Sequence, residues 1–246
     1  SRKKLMAYRS IFNGSTNTVE IEFIRDGELV SKTISRYYFN DFMYSLDEPT
    51  ETFKILDDNI GYVDMAKLEI KGVSKMMKNL KDTKAIIFDL RIGSEWTLHL
   101  ISNYINSQEK DFFRVIYPDL SYPGKFIWRD GYTCGKNGEL KYKGNVVLLV
   151  GEISHSRTEF IAMCLQAGDN VTTIGSHTSG ADGSVSRFEI IGGYKTMITG
   201  VGIFYPDKTE TQRKGIKIDI VYKPTIDGIV TEKDEVLERA LDYINN

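Results

Sequence analysis

The sequence predicts an α/β fold, because short, wholly apolar runs of strand length alternate through its middle with helix-length segments of 3.6-residue periodicity. The clearest runs are 85–90 (AIIFDL) and 145–150 (NVVLLV), followed by helically spaced segments at 97–105 and 160–167. Strands apolar on both faces suit a sheet covered on both sides, and βα alternation implies parallel strands joined by crossovers. With 246 residues and 41% hydrophobic content, the chain can bury one substantial core.

Taken in order, residues 3–12 suit a helix that ends at Asn13-Gly14. Alternating segments 18–24 and 28–34 flank Asp26-Gly27, the signal of a tight hairpin. So small a helix and hairpin cannot bury a core of their own, so residues 1–36 read as the end of a domain. A polar stretch at 45–52, with Pro49, separates them from the rest and places a linker at 37–52. The opening SRKKL has no start methionine or apolar leader, which predicts an internal or processed fragment.

The main domain, 53–246, is expected to run as strand 60–65, helix 70–80, strand 85–90, helix 97–105, strand 146–150, helix 160–167 stopped by Gly168, and strand 171–174. Beyond Ser184 the pattern becomes β-rich hairpin material at 187–191, 195–199 and 201–205, set off by Gly192-Gly193 and Gly200, with a further strand at 219–222. A terminal helix follows a capping box of Thr231 and Asp234, with Val236, Leu237, Ala240, Leu241 and Ile244 on one face.

Several function classes are excluded early. The 32 basic and 34 acidic residues nearly balance, so no global field recruits nucleic acid or an anionic membrane surface. The apolar runs fall far below the roughly 20 residues that span a bilayer. Cys134 and Cys164 lack Cys-x-x-Cys or histidine-rich company, so they read as ordinary thiols, and neither a metal nor a cofactor is expected. The glycine-rich 178–184 (TSGADGS) lacks the G-x-x-x-x-G-K-S/T order of a phosphate cradle and reads as a tight loop beside a cleft. The aromatic stretch 117–132, with Trp128, reads as a surface hairpin with packed aromatics, a ligand-facing flap being the alternative.

Chemistry concentrates in 145–168, a buried strand, a short polar loop and an almost wholly apolar helix. Ser156 stands where that helix begins, where free N–H groups and the positive end of the helix dipole can stabilise an oxyanion. The same Ser156-Arg-Thr-Glu159 is also an ordinary capping box. A nucleophilic serine needs a base, and the residues open to that role are His99, His155, His177 or a desolvated lysine. His99 lies in a helical apolar pattern and reads as a packed residue.

The runs 151–186 (GEISHSRTEFIAMCLQAGDNVTTIGSHTSGADGSVS), 199–220 (TGVGIFYPDKTETQRKGIKIDI) and 234–244 (DEVLERALDYI) carry S-x-x-E opening a helix, then G-x-x-T-x-G, G-I-x-x-D-I and a terminal helix. This order resembles the carboxyl-terminal processing, or tail-specific, serine peptidases, including their tricorn-core-like branch. The resemblance implies a ClpP/crotonase-like core at 53–246, a PDZ-like remnant at 1–36, and hydrolysis of extended or unfolded polypeptides through an acyl-enzyme on Ser156. It also implies a bacterial periplasmic or envelope location.

On the same resemblance the N–H of Arg157 donates to the oxyanion, and the second donor belongs to the loop after Asp89-Leu90-Arg91, where Gly93 stands. Asp89 and Arg91 read equally as a buried pair that organises a strand end. Two departures matter. Ala181 stands where Ser-Lys members carry lysine, so the base is expected to be a histidine, supplied in the tricorn-like branch from ahead of residue 1, with His155 and His177 as alternatives within the chain. Gln212 stands where that branch has a glutamate, and an amide cannot supply its charge. The competing reading is a silent peptide-binding pseudoenzyme or scaffold, and an acyl-CoA enzyme rests on fold analogy alone.

Overall fold

The structure is a computed structural model that describes residues 11, 14–36, 51–139 and 141–246. The chain divides into two units, 1–50 and 51–246. In the first, β1 (Thr18–Arg25) and β2 (Glu28–Ser35) pair antiparallel around Asp26-Gly27. Both turn residues have positive φ, 54° and 85°, as the hairpin turn matched to strand twist requires. The expected helix at 3–12 and most of the separator at 37–52 lie outside the described residues.

The second unit begins with β3 (Phe53–Leu56), β4 (Ile60–Asp64), α1 (Val73–Leu80), β5 (Ala85–Asp89) and α2 (Leu98–Ile105). Next come β6 (Lys110–Asp111), β7 (Arg114–Pro118), β8 (Phe126–Asp130), β9 (Thr133–Cys134), β10 (Asn145–Val150), α3 (Arg157–Gln166) and β11 (Val171–Gly175). The last elements are β12 (Val185–Ile190), β13 (Tyr194–Thr199), β14 (Gly202–Phe204), β15 (Ile220–Val221), α4 (Ile226–Val230) and α5 (Glu235–Asn245).

A six-stranded sheet in the order β15-β11-β10-β5-β4-β3 forms the centre. Its strands are parallel except at the β3 edge. Side chains alternate between its faces. Ile86, Phe88, Val146, Leu148 and Val150 join α1, α2 and α3 in one core, while Ala85, Ile87, Val147 and Leu149 meet Val236 and Ala240 of α5 in the other. This is the covered parallel sheet that the apolar runs predict. Helix α3 is buried from Thr158 to Leu165, which explains why its sequence shows no polar face.

Three local expectations change. The helix expected at 70–80 opens with a tighter 3-10 turn at Ile70–Gly72. Strand β14 leaves the β12–β13 hairpin and pairs with β7, giving a separate sheet β14-β7-β8. Thr231 does not cap the terminal helix: it closes α4, donating to the Asp227 carbonyl at 2.7 Å, and Asp234 alone caps α5 by accepting the Leu237 N–H at 3.1 Å. Cys134 and Cys164 are buried free thiols.

One polar network fastens the end of β5. Arg91 donates to both oxygens of Asp89, at 2.9 and 2.6 Å, and to both of Asp234, at 2.6 and 2.7 Å. Tyr62 donates to Asp89 at 2.8 Å. Burial, then the Asp89 carboxylate, holds the Tyr62 hydroxyl well above its usual pKa. Asp89-Leu90-Arg91 is thus a clasp between the central sheet and the cap of α5. Replacing Arg91 by alanine strands a buried carboxylate and should lower unfolding stability by about 3 kcal/mol in urea titrations, and Arg91→Lys, which lacks the planar fork, should recover less than half of it.

Candidate active site

The loop between β10 and α3 turns sharply because its backbone is clamped at both ends. Ser154, fully buried, donates from Oγ to the Leu90 carbonyl at 2.9 Å and accepts the Gly151 N–H at 3.0 Å. Just beyond it, the Thr158 N–H donates to the His155 carbonyl at 3.1 Å and closes the four-residue turn 155–158. Ser156 is its second residue, with φ 53° and ψ −116°, the geometry of a type II′ turn, which normally takes glycine there. A serine in that region is strained, and such strain persists only where its surroundings over-determine it.

The surroundings here are Glu159. Its buried carboxylate accepts the Ser156 N–H at 3.0 Å, the Thr178 hydroxyl at 2.6 Å, the Ser179 hydroxyl at 3.1 Å, and the N–H groups of Gly180 and Ala181 at 2.8 and 3.0 Å. One side chain therefore locks the Ser156 turn to the glycine-rich loop. Thr178 extends the chain of bonds by accepting the Ile216 N–H at 3.0 Å. The motif glycines have steric reasons as well. A Cβ on Gly175, at φ 142°, would fall 1.9 Å from the Val150 carbonyl oxygen, and one on Gly180, at φ 61°, would lie 2.9 Å from the Arg213 backbone.

These elements border an open cavity of about 370 Å³ that Ser156 and Arg157 line together with Asp182, Gly183 and Ser184. Phe113, Val115, Phe160, Val201 and Ile203 supply apolar wall, and Tyr117 and Tyr132 bring part of the 117–132 stretch to the site. Trp128 instead packs on Phe204, ring centroids 4.7 Å apart. The Arg157 guanidinium is held by Glu95 at 3.0 Å and lies over Trp96. Asp182 is only 6% exposed. Burial pushes its carboxyl up to about 7.

The other residues singled out from the sequence stand further back. Gly93 is half-buried and is not among the described cavity-lining residues. Its neighbour Ser94 donates to Thr158 at 3.3 Å, which keeps that loop against the turn. His155 immediately precedes Ser156, and His177 is exposed on the glycine-rich loop; neither is among the described cavity-lining residues. His99 is exposed, with its ring tilted 48° against that of Tyr132, centroids 5.3 Å apart. Gln212 donates from Nε2 to the carbonyls of Asp182 and Val201, at 2.7 and 2.9 Å. A glutamate could not donate either bond. Sequence reasoning missed Asp182, and it saw Glu159 only as a helix cap.

The profile of peptidase family S41 matches residues 59–222, two thirds of the chain, across the sheet, the Ser156 turn and the glycine-rich loop. The chain belongs to peptidase family S41. Among solved structures, this S41 chain is similar to a candidate peptidase from Parabacteroides merdae, at 19% identity and TM-score 0.69, over 93% of this chain and 77% of that one. It is similar to mature CPAF bound to lactacystin, at 12% identity and TM-score 0.63, over 95% and 69%. A photosystem II D1 C-terminal processing protease follows at 14% identity and TM-score 0.52, over 85% and 56%. These likenesses show a shared fold. A search of curated protein sequences found no match.

The strain at Ser156 can be measured without activity. Ser156→Gly and Ser156→Ala both remove the hydroxyl, but only alanine keeps a Cβ at positive φ. The glycine variant should be the more stable by about 1 kcal/mol in urea unfolding; equal stabilities would mean the turn relaxes without cost.

Proposed function

We propose that this S41 chain is the core of a serine endopeptidase of the carboxyl-terminal processing type, and that Ser156 is its nucleophile. The observation that carries the reading is the strained Ser156, presented at a helix N-terminus and at the edge of a cavity by a buried glutamate. Strain at a polar residue that lines a cavity supports a functional rather than a merely capping role. Ser156 Oγ attacks the peptide carbonyl, the C–N bond breaks as the amine leaves with the proton that the base took from the serine, and water then hydrolyses the acyl-enzyme. Arg157 is the first helical residue, so its N–H has no partner within the helix and suits the oxyanion; Gly93 is assigned the second donor. Ser94 and Glu95, which contact Thr158 and Arg157, support that assignment by holding the Gly93 loop beside the turn.

A histidine takes the serine proton in this reading. His155 and His177 are the chain's own candidates, and the family resemblance favours one supplied from ahead of residue 1. Gln212 is assigned to orienting that base through Oε1, which can accept an imidazole N–H while both N–H groups of Nε2 hold backbone carbonyls. The hairpin β1–β2, in the first of the two units, is read as the end of a PDZ-like domain occupying 1–36, with 37–52 as linker and 53–246 as a ClpP/crotonase-like core. The substrates are extended or unfolded polypeptides, and the family resemblance places the protein in a bacterial periplasm or envelope.

A fluorophosphonate probe tests the assignment. The expected adduct is on the peptide that holds Ser156, from this chain or from a form extended ahead of residue 1, and it is absent from the Ser156→Ala counterparts. An adduct that survives the alanine substitution, or none on either form, would contradict it.

A further inference from the structure

The cavity beside Ser156 contains an acid that nothing in the proposed acyl transfer uses. Asp182 Oδ1 accepts the N–H of the adjacent Gly183 at 2.7 Å, whereas Oδ2 is buried and has no hydrogen-bond partner. Leaving a carboxylate oxygen buried and unpaired costs free energy, so native structures rarely do it without a reason. Arg157, the cation among the described lining residues, is engaged by Glu95. The backbone cannot easily carry Asp182 away either, since Gln212 grips its carbonyl at 2.7 Å. What remains free to respond is the side chain itself, whose rotation toward the cavity would exchange an unpartnered oxygen for any donor that arrives there.

The walls indicate what kind of donor fits. Phe113, Val115, Phe160, Val201 and Ile203 offer an apolar channel next to the acid. A long aliphatic stem ending in a cation matches both features, since such side chains bury their methylenes and keep the charged head on a polar partner. Resting on the peptidase reading above, we infer that Asp182 is a specificity-determining residue, and that this cavity receives a lysine or arginine side chain of the polypeptide substrate with its cationic head on the Asp182 carboxylate. The raised carboxyl pKa is consistent with an acid that ionises fully only when a cation joins it.

Binding and turnover can be read separately. In the Ser156→Ala protein, calorimetric titration with acetyl-Ala-Ala-Lys-Ala-Ala-amide and with its norleucine counterpart should show the lysine peptide binding about tenfold tighter, the value of one charge-assisted hydrogen bond. That ratio should fall towards one in Asp182→Asn and in Asp182→Ala, with urea unfolding confirming that each variant folds. Equal affinities for the two peptides with Asp182 in place would overturn the inference, as would an equal loss of both on substitution. Lysine selectivity without cleavage by any form carrying Ser156 would leave the inference standing and count against the peptidase reading. Cleavage that ignores lysine would do the reverse.

Discussion

Burying a carboxylate is costly unless donors fill its oxygens, and Glu159 meets that requirement with five. Those donors come from two segments distant in sequence, the turn at Ser156 and the loop at 178–181. Glu159 shares their positioning with two backbone bonds, from the Ser179 N–H to the Ser154 carbonyl at 3.0 Å and from the Arg213 N–H to the Gly180 carbonyl at 2.6 Å, and it alone holds the Ser156 N–H to the loop. Because a half-satisfied network of this kind is worse than none, the two segments are expected to hold or loosen together. The strained φ of Ser156 depends on this arrangement: the turn is held by the Thr158–His155 bond, and the serine's own N–H is held by Glu159.

The scaffold around that anion is rigid in identifiable ways. The adjacent parallel strands β5 and β10 end at Asp89 and Val150, and Ser154 ties the residue after one to the residue after the other. Arg91 fixes the same end of the sheet to the cap of α5. Gly175 lets β11 pass against the Val150 carbonyl, which brings the glycine-rich loop over the helix mouth. The site therefore sits beyond the carboxyl ends of parallel strands, where open α/β sheets present their loops to ligands.

Much of the sheet was legible because burial on both faces writes itself as unbroken apolar runs, as at 85–90 and 145–150. The turn at Ser156 was legible as position and residue type, a serine three residues before a glutamate at a helix start. Its backbone strain was not, because no local residue preference announces a serine in glycine's conformation. The pairing of β14 with β7 was hidden for another reason: its partner lies far away in sequence, and two adjacent β-like runs suggest a local hairpin. Thr231 misled because two short helices meet within a few residues, so a cap for one was read as a cap for the other. Asp182 lay in a loop whose glycines drew attention to backbone shape, and only its surroundings distinguish a buried acid from a solvated one. The substitution of Gln212 for glutamate was visible, but its consequence depends on which carbonyls face it.

Hydrogen exchange followed by mass spectrometry on the Glu159→Gln variant tests the central claim most directly. The amide presents donors where the carboxylate accepted them, so residues 154–158 and 176–184 should lose protection together while the central strands keep theirs. Unchanged protection in both segments, or loss in one alone, would show that the turn and the loop are positioned independently of Glu159.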